Sequence, residues 1–356
     1  MPIIEEAQLH AQYRELATAL GADEAEAEIF ARCYVRADLR GLFTAGAAVV
    51  PYIISLIQHD LMRFGAPFEV VRDAPASALV DGGHGVGSVV ATRAMDLAID
   101  KARAAGVGCV WIAHGGDFGL ASNHALQAIE QGLVGIAMRN GTPRVAPWGG
   151  RDGFFGTDPI SVGIPAGERD PIVIDMSAGS FSVGRTVMAA RDGRRMPSAH
   201  LVDAEGRYTD DPASIVADPA DRESGLNGAL VTLGHKGFAW QLIVELLAGL
   251  LSGMGTSNQN DYWPTPERRW REGSFVMAID VEHLLPVADF LASVDGLIDA
   301  LKAVRPAQGF DEVRVPGEAA AATERERRSN GIPIRDEDWD AIQRVAQELG
   351  LRTPSA

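Results

Sequence analysis

Two changes in the spacing of apolar residues constrain this 356-residue chain more than any other feature of it. From Glu5 to Ala37 the apolar side chains recur every three or four residues, as in Leu9, Tyr13, Leu16 and Leu20, and, after Gly21-Ala22-Asp23, in Ala27, Phe30 and Val35. That spacing lines one face of a helix, so a pair of amphipathic helices is expected there and a third over residues 50–64. Residues 336–351 repeat the pattern, with Trp339, Ile342, Val345 and Leu349 on one stripe. Between about Ser77 and Asp311 it gives way to short apolar runs and helices separated by Gly, Pro and Asp turns. Strands are expected at 108–113, 134–138, 160–164, 172–176 and 275–279, and helices at 89–105, 122–131 and 238–251. The alternation is too irregular for a repeated βαβ array, and Asp203-Ala204-Glu205-Gly206 reads as a hairpin turn. The expected fold is therefore mixed α/β, in two parts: a helical flank of residues 1–76 with 312–356, and a sheet-and-helix part of residues 77–311.

Composition narrows the function. With 46% hydrophobic residues the chain has ample material for a core, and a net charge of −16 argues against a nucleic-acid partner, whose phosphates call for clustered Lys and Arg. Cys33 and Cys109 fit no zinc or redox spacing and read as core residues, as do Trp111 and Trp148. The opening Met-Pro-Ile-Ile-Glu-Glu lacks the basic-then-apolar order of a signal peptide, so a cytoplasmic location is expected. Leu242–Met254, the most apolar run, is too short to span a membrane and contains Glu245; a buried helix is expected. Glu324-Arg325-Glu326-Arg327-Arg328 reads as a solvated helix face. The glycine-rich Gly82-Gly83-His84-Gly85-Val86-Gly87 follows a short strand candidate and precedes a helix, but it lacks the Rossmann fingerprint spacing.

Arg36–Gly41, Val90–Met95, Gly156-Thr157-Asp158-Pro159, Ile174-Asp175-Met176-Ser177, Gly234-His235-Lys236-Gly237, Val315-Pro316-Gly317-Glu318 and Asn330-Gly331-Ile332 form an ordered set of seven segments. That set is similar to segments of the malate/L-lactate/sulfolactate dehydrogenase family, which also resembles ureidoglycolate and diketogulonate dehydrogenases and cyclic-imine reductases, and the resemblance makes residues 77–311 the cofactor-binding and catalytic part. The resemblance implies a non-Rossmann fold with a largely antiparallel central sheet, helical flanks from both termini, and a homodimer whose subunits both shape the site. It implies NAD or NADP as cofactor, held by Asp175, Met176, Ser177, Ala178, Gly179, Ser180 and Phe181, by His235 and Lys236, and by Pro316, Gly317 and Glu318. Backbone amides among the small residues 177–180 would suit a pyrophosphate, Lys236 would supply charge, and Arg185 stands where the family commonly has lysine.

The catalytic signatures depart from the family. Its Asp-Leu-Arg-Gly-His-x-Ser-His-Gly uses the second histidine as proton donor, and here Ala45 stands in that place within Asp38–Gly46. Val49 replaces an arginine suited to clamp the substrate carboxylate. Asp117, in His114-Gly115-Gly116-Asp117-Phe118-Gly119, replaces a further histidine, and Asp158 replaces an asparagine. These exchanges favour a cationic substrate over a plain 2-keto acid.

The expected reaction is reduction of a C=N or unusual C=O group by a nicotinamide cofactor. Asp117, His114, Asp175 and His124 are the catalytic candidates, and Thr44, His84, Thr157 and Asp158 the substrate-binding ones. The bland reading of Asp117 is a helix cap, and of Asp158 a turn residue. No metal is expected, since His114, Asp117 and His124 match no standard ligand spacing. The loss of the histidine and arginine together leaves a second class open, a lyase, hydratase or cyclase using His114, Asp117 and His124. A third is a binding or regulatory dimer.

Overall fold

The strand patterns in the middle of the chain assemble into one seven-stranded sheet in the computed structural model, which describes residues 1–218, 225–261 and 263–351. Its order is Glu69–Ala74, Ser77–Asp81, Val107–Ala113, Ser274–Ile279, Val134–Arg139, Pro159–Ile164 and Ile172–Ser177. Five of the six pairings are antiparallel, the exception being Ser77–Asp81 against Val107–Ala113, so the sheet is mixed and largely antiparallel as expected. The first strand was not expected: all six of its residues are exposed, so no alternation of apolar and polar residues marks it. It also falls within the segment read as helical flank.

The helices Gly87–Ala105 and Ala121–Glu130 cover one face of this sheet. Gly108 is required by that packing, since a Cβ there would strike the carbonyl oxygen of Ala98. A smaller four-stranded sheet packs with the helix Val183–Arg191 around Val145, Phe155, Val187 and Leu230. Within it the Asp203 carboxylate accepts from the amides of Glu205 (3.0 Å) and Arg207 (2.9 Å), which makes the turn read from the sequence.

The chain ends share one core. Leu9, Tyr13, Phe30 and Ile53 from the leading helices pack with Ile332, Trp339 and Ile342, and Ile3–Ile4 pairs with Ile332–Pro333. The charge run of helix Glu318–Asn330 is not simply solvated: Glu324 pairs at 2.9 Å with Arg40, itself only 6% exposed. Cys33 is buried, Cys109 is half-buried, and both are free thiols. Trp148 is exposed, its ring edge on His235, and so is no core residue.

The run expected as a buried helix is buried on one face only, where Val244 and Ala248 pack into the core. Helix Gly234–Val244 continues as a π-helical turn over Glu245–Leu250, in which Glu245 is buried while Leu242, Ile243, Leu246 and Leu250 are exposed. Among the described residues no helix is long and apolar enough to cross a membrane.

Asp38 ties the leading helices to the segment that follows. Its fully enclosed carboxylate accepts from the Tyr13 hydroxyl (3.1 Å) and the Ala47 amide (2.8 Å), which pins the Phe43–Ala45 turn. Burial raises this carboxyl to about 7, against the lowering effect of those two bonds. The folded protein therefore keeps a proton that the unfolded chain loses near 3.8. Stability from this group is full below 3.8 and declines as the pH rises towards 7. Asp38→Asn, which cannot ionise, is expected to be less stable than the wild type at about pH 4, with the deficit shrinking towards about pH 8. Urea unfolding at the two pH values measures this; a deficit that is constant or grows with pH contradicts it.

Candidate active site

The pairing of the sheet decides what meets at its end. Ser274 is opposite both Ile112 and Arg139, so the ends of Val107–Ala113 and Val134–Arg139 lie beside the start of Ser274–Ile279. Asp81 pairs with Ala113 and Pro159 with Ser177, which adds the loop after Asp81 and the residues before Pro159. Asp117, Arg139, Asp158, Ser177 and Glu272 thus collect at one end of the sheet from distant parts of the chain.

That end opens into a cavity of about 310 Å³. The N-terminal flank supplies Thr44, Ala45, Val49 and Tyr52 to its wall, so Ala45 and Val49, the two positions at which the sequence is expected to depart from the family motif, face it. Asp117, Arg139 and Glu272 form the sheet-end wall, with Thr157 and Asp175 beyond them and Arg144 and Trp263 at the side. Trp263 lies under the Arg144 guanidinium at 5.7 Å.

Arg139 is the centre of the charge arrangement. It pairs with Asp117 at 3.4 Å and Glu272 at 2.5 Å, its guanidinium 5.4 Å from the Phe118 ring, and its side chain is 12% exposed. Asp158 lies fully buried beneath, at φ 47°, with neither carboxyl oxygen hydrogen-bonded among the described residues. Burial raises Asp158 well above the ordinary carboxylate range, Glu245 adds to the rise, and Arg139 opposes it. Burial also raises Glu272, against the pull of Arg139 and with Asp117 adding to the rise. Burial thus outweighs Arg139 at both Asp158 and Glu272, and both carboxyls favour keeping a proton more than a free carboxylate does.

Asp175 is largely enclosed but has surface on the cavity; burial raises it, and a 3.0 Å bond from the Ser122 amide pulls it back. This places Asp175, not Asp117, at the N-terminus of helix Ala121–Glu130, while Asp117 accepts from the Gly119 amide at 2.8 Å.

The expected histidines are elsewhere. His124 is wholly buried against Phe118, with Nε2 3.3 Å from that residue's carbonyl oxygen, and burial lowers it to about 4. It has no surface on the cavity and is withdrawn as a proton-transfer group. His114 pairs at 3.0 Å with Asp81 and does not line the cavity either. His84 lines a separate, smaller space behind Trp270 and Glu272.

The amides expected to meet a pyrophosphate are committed. Ala178 donates to the Thr157 carbonyl (3.0 Å), Gly179 to Ser177 Oγ (3.0 Å) and Ser180 to the Val231 carbonyl (2.8 Å). The same turn is nonetheless joined to the start of helix Gly234–Val244, since Leu233 donates to the Ala178 carbonyl at 3.0 Å, so Phe181, His235 and Lys236 share one neighbourhood. Pro316 instead accepts from Val173, well before Ser177 on the same strand, and Glu318 is held by Lys302 and the Val315 amide. Among the described residues no group of three or more His, Cys, Asp or Glu is arranged to hold a metal ion.

Sequence reasoning missed Arg139, Arg144, Glu272, Tyr52 and Trp263. A signal existed for two of them: Arg139 closes an apolar strand and Glu272 precedes another, positions where a charge has no reason to be unless a partner waits at the sheet end.

Fold and site together describe a mixed α/β protein with a polar cavity at a sheet end and no Rossmann fingerprint. The chain belongs to the malate/L-lactate dehydrogenase family, whose family model matches residues 4–343. It is 32% identical to the L-sulfolactate dehydrogenase of Methanothermobacter thermautotrophicus, over 95% of this chain and 94% of that protein. The solved sulfolactate dehydrogenase of Methanocaldococcus jannaschii superposes with a TM-score of 0.88 at 30% identity, covering 98% of each chain. The solved Δ1-piperideine-2-carboxylate reductase of Pseudomonas syringae pvar. tomato gives 0.85 at 28% identity, covering 97% of this chain and 100% of that one.

Arg139→Ala is expected to destabilise the protein by about 3–5 kcal/mol, because it removes the guanidinium that pairs directly with Asp117 and Glu272 in an enclosed site. Urea unfolding near neutral pH tests this, and a loss under about 1 kcal/mol would show that the carboxyls do not depend on Arg139.

Proposed function

We propose that this protein is an NAD- or NADP-dependent reductase of a C=N bond, or of a C=O group other than that of a plain 2-keto acid. The observation that carries this is the pair of acidic groups facing one cavity, Asp117 held with Glu272 on Arg139 and Asp175 on the neighbouring wall, where Ala45 leaves the N-terminal wall without an imidazole. The relative named as a Δ1-piperideine-2-carboxylate reductase supports the same direction.

The residues fit a dinucleotide by side-chain charge rather than by the committed amides. Arg185 and Lys236 are exposed and have no ion-pair partner among the described residues, in a chain of net charge −16, and Arg185 lies 5.7 Å over the Phe181 ring. Each sits in the first turn of a helix, where the peptide dipoles add to the attraction for a phosphate. When bound, the cofactor supplies the hydride. Asp117, as the most exposed member of the Arg139 cluster, gives a proton to the substrate nitrogen, and Asp175 faces the cation so formed. Arg139 and Arg144 both line the cavity, which revises the expectation that it rejects every carboxylate. A cyclic imino acid, with its nitrogen towards the acids and its carboxylate towards Arg144, matches both signs of charge.

Calorimetric titration with NADH and NADPH, followed by a survey of cyclic imines, tests the reading. Micromolar binding with nucleotide oxidation is the expected result, and Asp117→Asn is expected to lower kcat by about 100-fold or more with cofactor affinity intact. Failure of both nucleotides to bind would discard the redox reading in favour of a lyase, hydratase or cyclase.

The same reading includes a homodimer. Trp240, Ile243, Leu246 and Leu250 form an exposed apolar stripe of a kind monomers seldom leave in water. Light scattering is expected to give a dimer, and Leu246→Glu with Leu250→Glu to give a monomer. A wild-type monomer at micromolar concentration would remove the dimer from the proposal.

A further inference from the structure

Behind the cavity, two histidines share a backbone geometry that side chains seldom adopt. His84 and His114 lie at φ 58° and 51°, a region that costs a non-glycine residue on the order of 1 kcal/mol or more. The loop that holds them is well tied: Gly82 donates to the Ala113 carbonyl (2.8 Å), His84 to the His114 carbonyl (2.9 Å) and Arg63 to the His84 carbonyl (3.1 Å). The two imidazoles meet with 4.7 Å between ring centroids. His114 Nδ1 is 3.0 Å from Asp81 Oδ2, and these side chains are 38% and 37% exposed. His84 reaches inward, where with Arg269, Trp270 and Glu272 it lines a space of about 20 Å³. That is room for one water molecule with polar partners on several sides. Glu272 and Trp270 also line the larger cavity, so Glu272 stands between the histidine pair and the site.

We propose that His84, supported by the exposed His114–Asp81 pair, carries protons from solvent to Glu272 and so restores the acid that each reduction consumes. This rests on the reductase reading, in which one proton per turnover leaves the Asp117–Glu272 pair for the substrate nitrogen. A proton enters His84 at one ring nitrogen while the other nitrogen releases one towards Glu272, so the imidazole ends the cycle neutral. Its surroundings favour that neutral resting form. Burial, then His114, Arg269 and Arg63, lower His84 to about 4, with Asp81 opposing them. On the far side Glu272 faces Arg139, Asp117 and Arg144, whose charges set how readily it takes the proton up.

The test uses the full chain and a substrate that the wild type reduces. Asparagine tolerates positive φ, so His84→Asn keeps the loop while removing the relay. Its kcat is expected to fall by about tenfold or more, with KM and cofactor affinity unchanged and a larger solvent deuterium effect. Added imidazole is expected to restore the rate, and His114→Asn to show a smaller fall of the same kind. An unchanged kcat, or a fall that imidazole does not restore, overturns the relay; the second result would mean that His84 only holds Glu272 in place. Absence of nucleotide oxidation by the wild type is a separate failure, visible before any variant is made, and it removes both readings.

Discussion

The guanidinium of Arg139 is the interaction on which this architecture turns. Asp117 follows one central strand, Arg139 ends a second, and Glu272 precedes the strand that lies between them in the sheet. Opposite charges about 4 Å apart attract by roughly 4 kcal/mol at an effective dielectric of about 20, and burial charges a comparable cost to each group. The pairings therefore fix geometry more than they add stability. With Arg139 in place, three strand ends are held in one arrangement and their acidic side chains face a common space.

The same constraint explains the half-exposed helix. Asn140, next to Arg139, accepts at Oδ1 from the Gly273 amide (2.8 Å), next to Glu272, and donates through Nδ2 to Glu245 (3.2 Å). Glu245 also accepts from the Ser257 amide at 3.0 Å. The polar network behind the site thus extends into the π-helical turn and draws its one carboxylate inward. Once Glu245 points in, the helical period sends Leu246 and Leu250 outward. An apolar surface is then a consequence of how the site is supported, and it leaves a face suited to another protein surface.

Local spacing made the flanking helices and the interior strands legible, because each has an apolar stripe or run that depends only on near neighbours. The strand Glu69–Ala74 carries no such stripe, and the inward turn of Glu245 depends on Asn140 and Ser257, remote in sequence. The candidate site was half legible for the same reason. Asp117 and Asp175 belong to short motifs that could be compared with a family, whereas Arg139 and Glu272 join the site only through strand register. His124 misled because helix Ala121–Glu130 turns it towards Phe118 and the core, a direction that depends on which face of the helix packs. The amides of residues 178–180 misled because their small side chains suit a turn closed on itself as well as one that grips a phosphate.

Charge balance separates substrates that size alone would admit. A cavity of about 310 Å³ accepts many small acids. The positive charge of Arg139 is already shared between Asp117 and Glu272, so it offers little to a carboxylate, and Asp175 adds a further acid on the neighbouring wall. A plain keto acid brings one negative charge and nothing for these carboxyls to hold. In the proposed reaction an imino acid would bring the same carboxylate together with a nitrogen that becomes cationic when protonated, so its cation would be matched to the acidic wall. On that proposal the cavity would favour the charge that forms along the reaction over the charge present at its start, which is the condition for binding energy to lower the barrier rather than only hold the substrate.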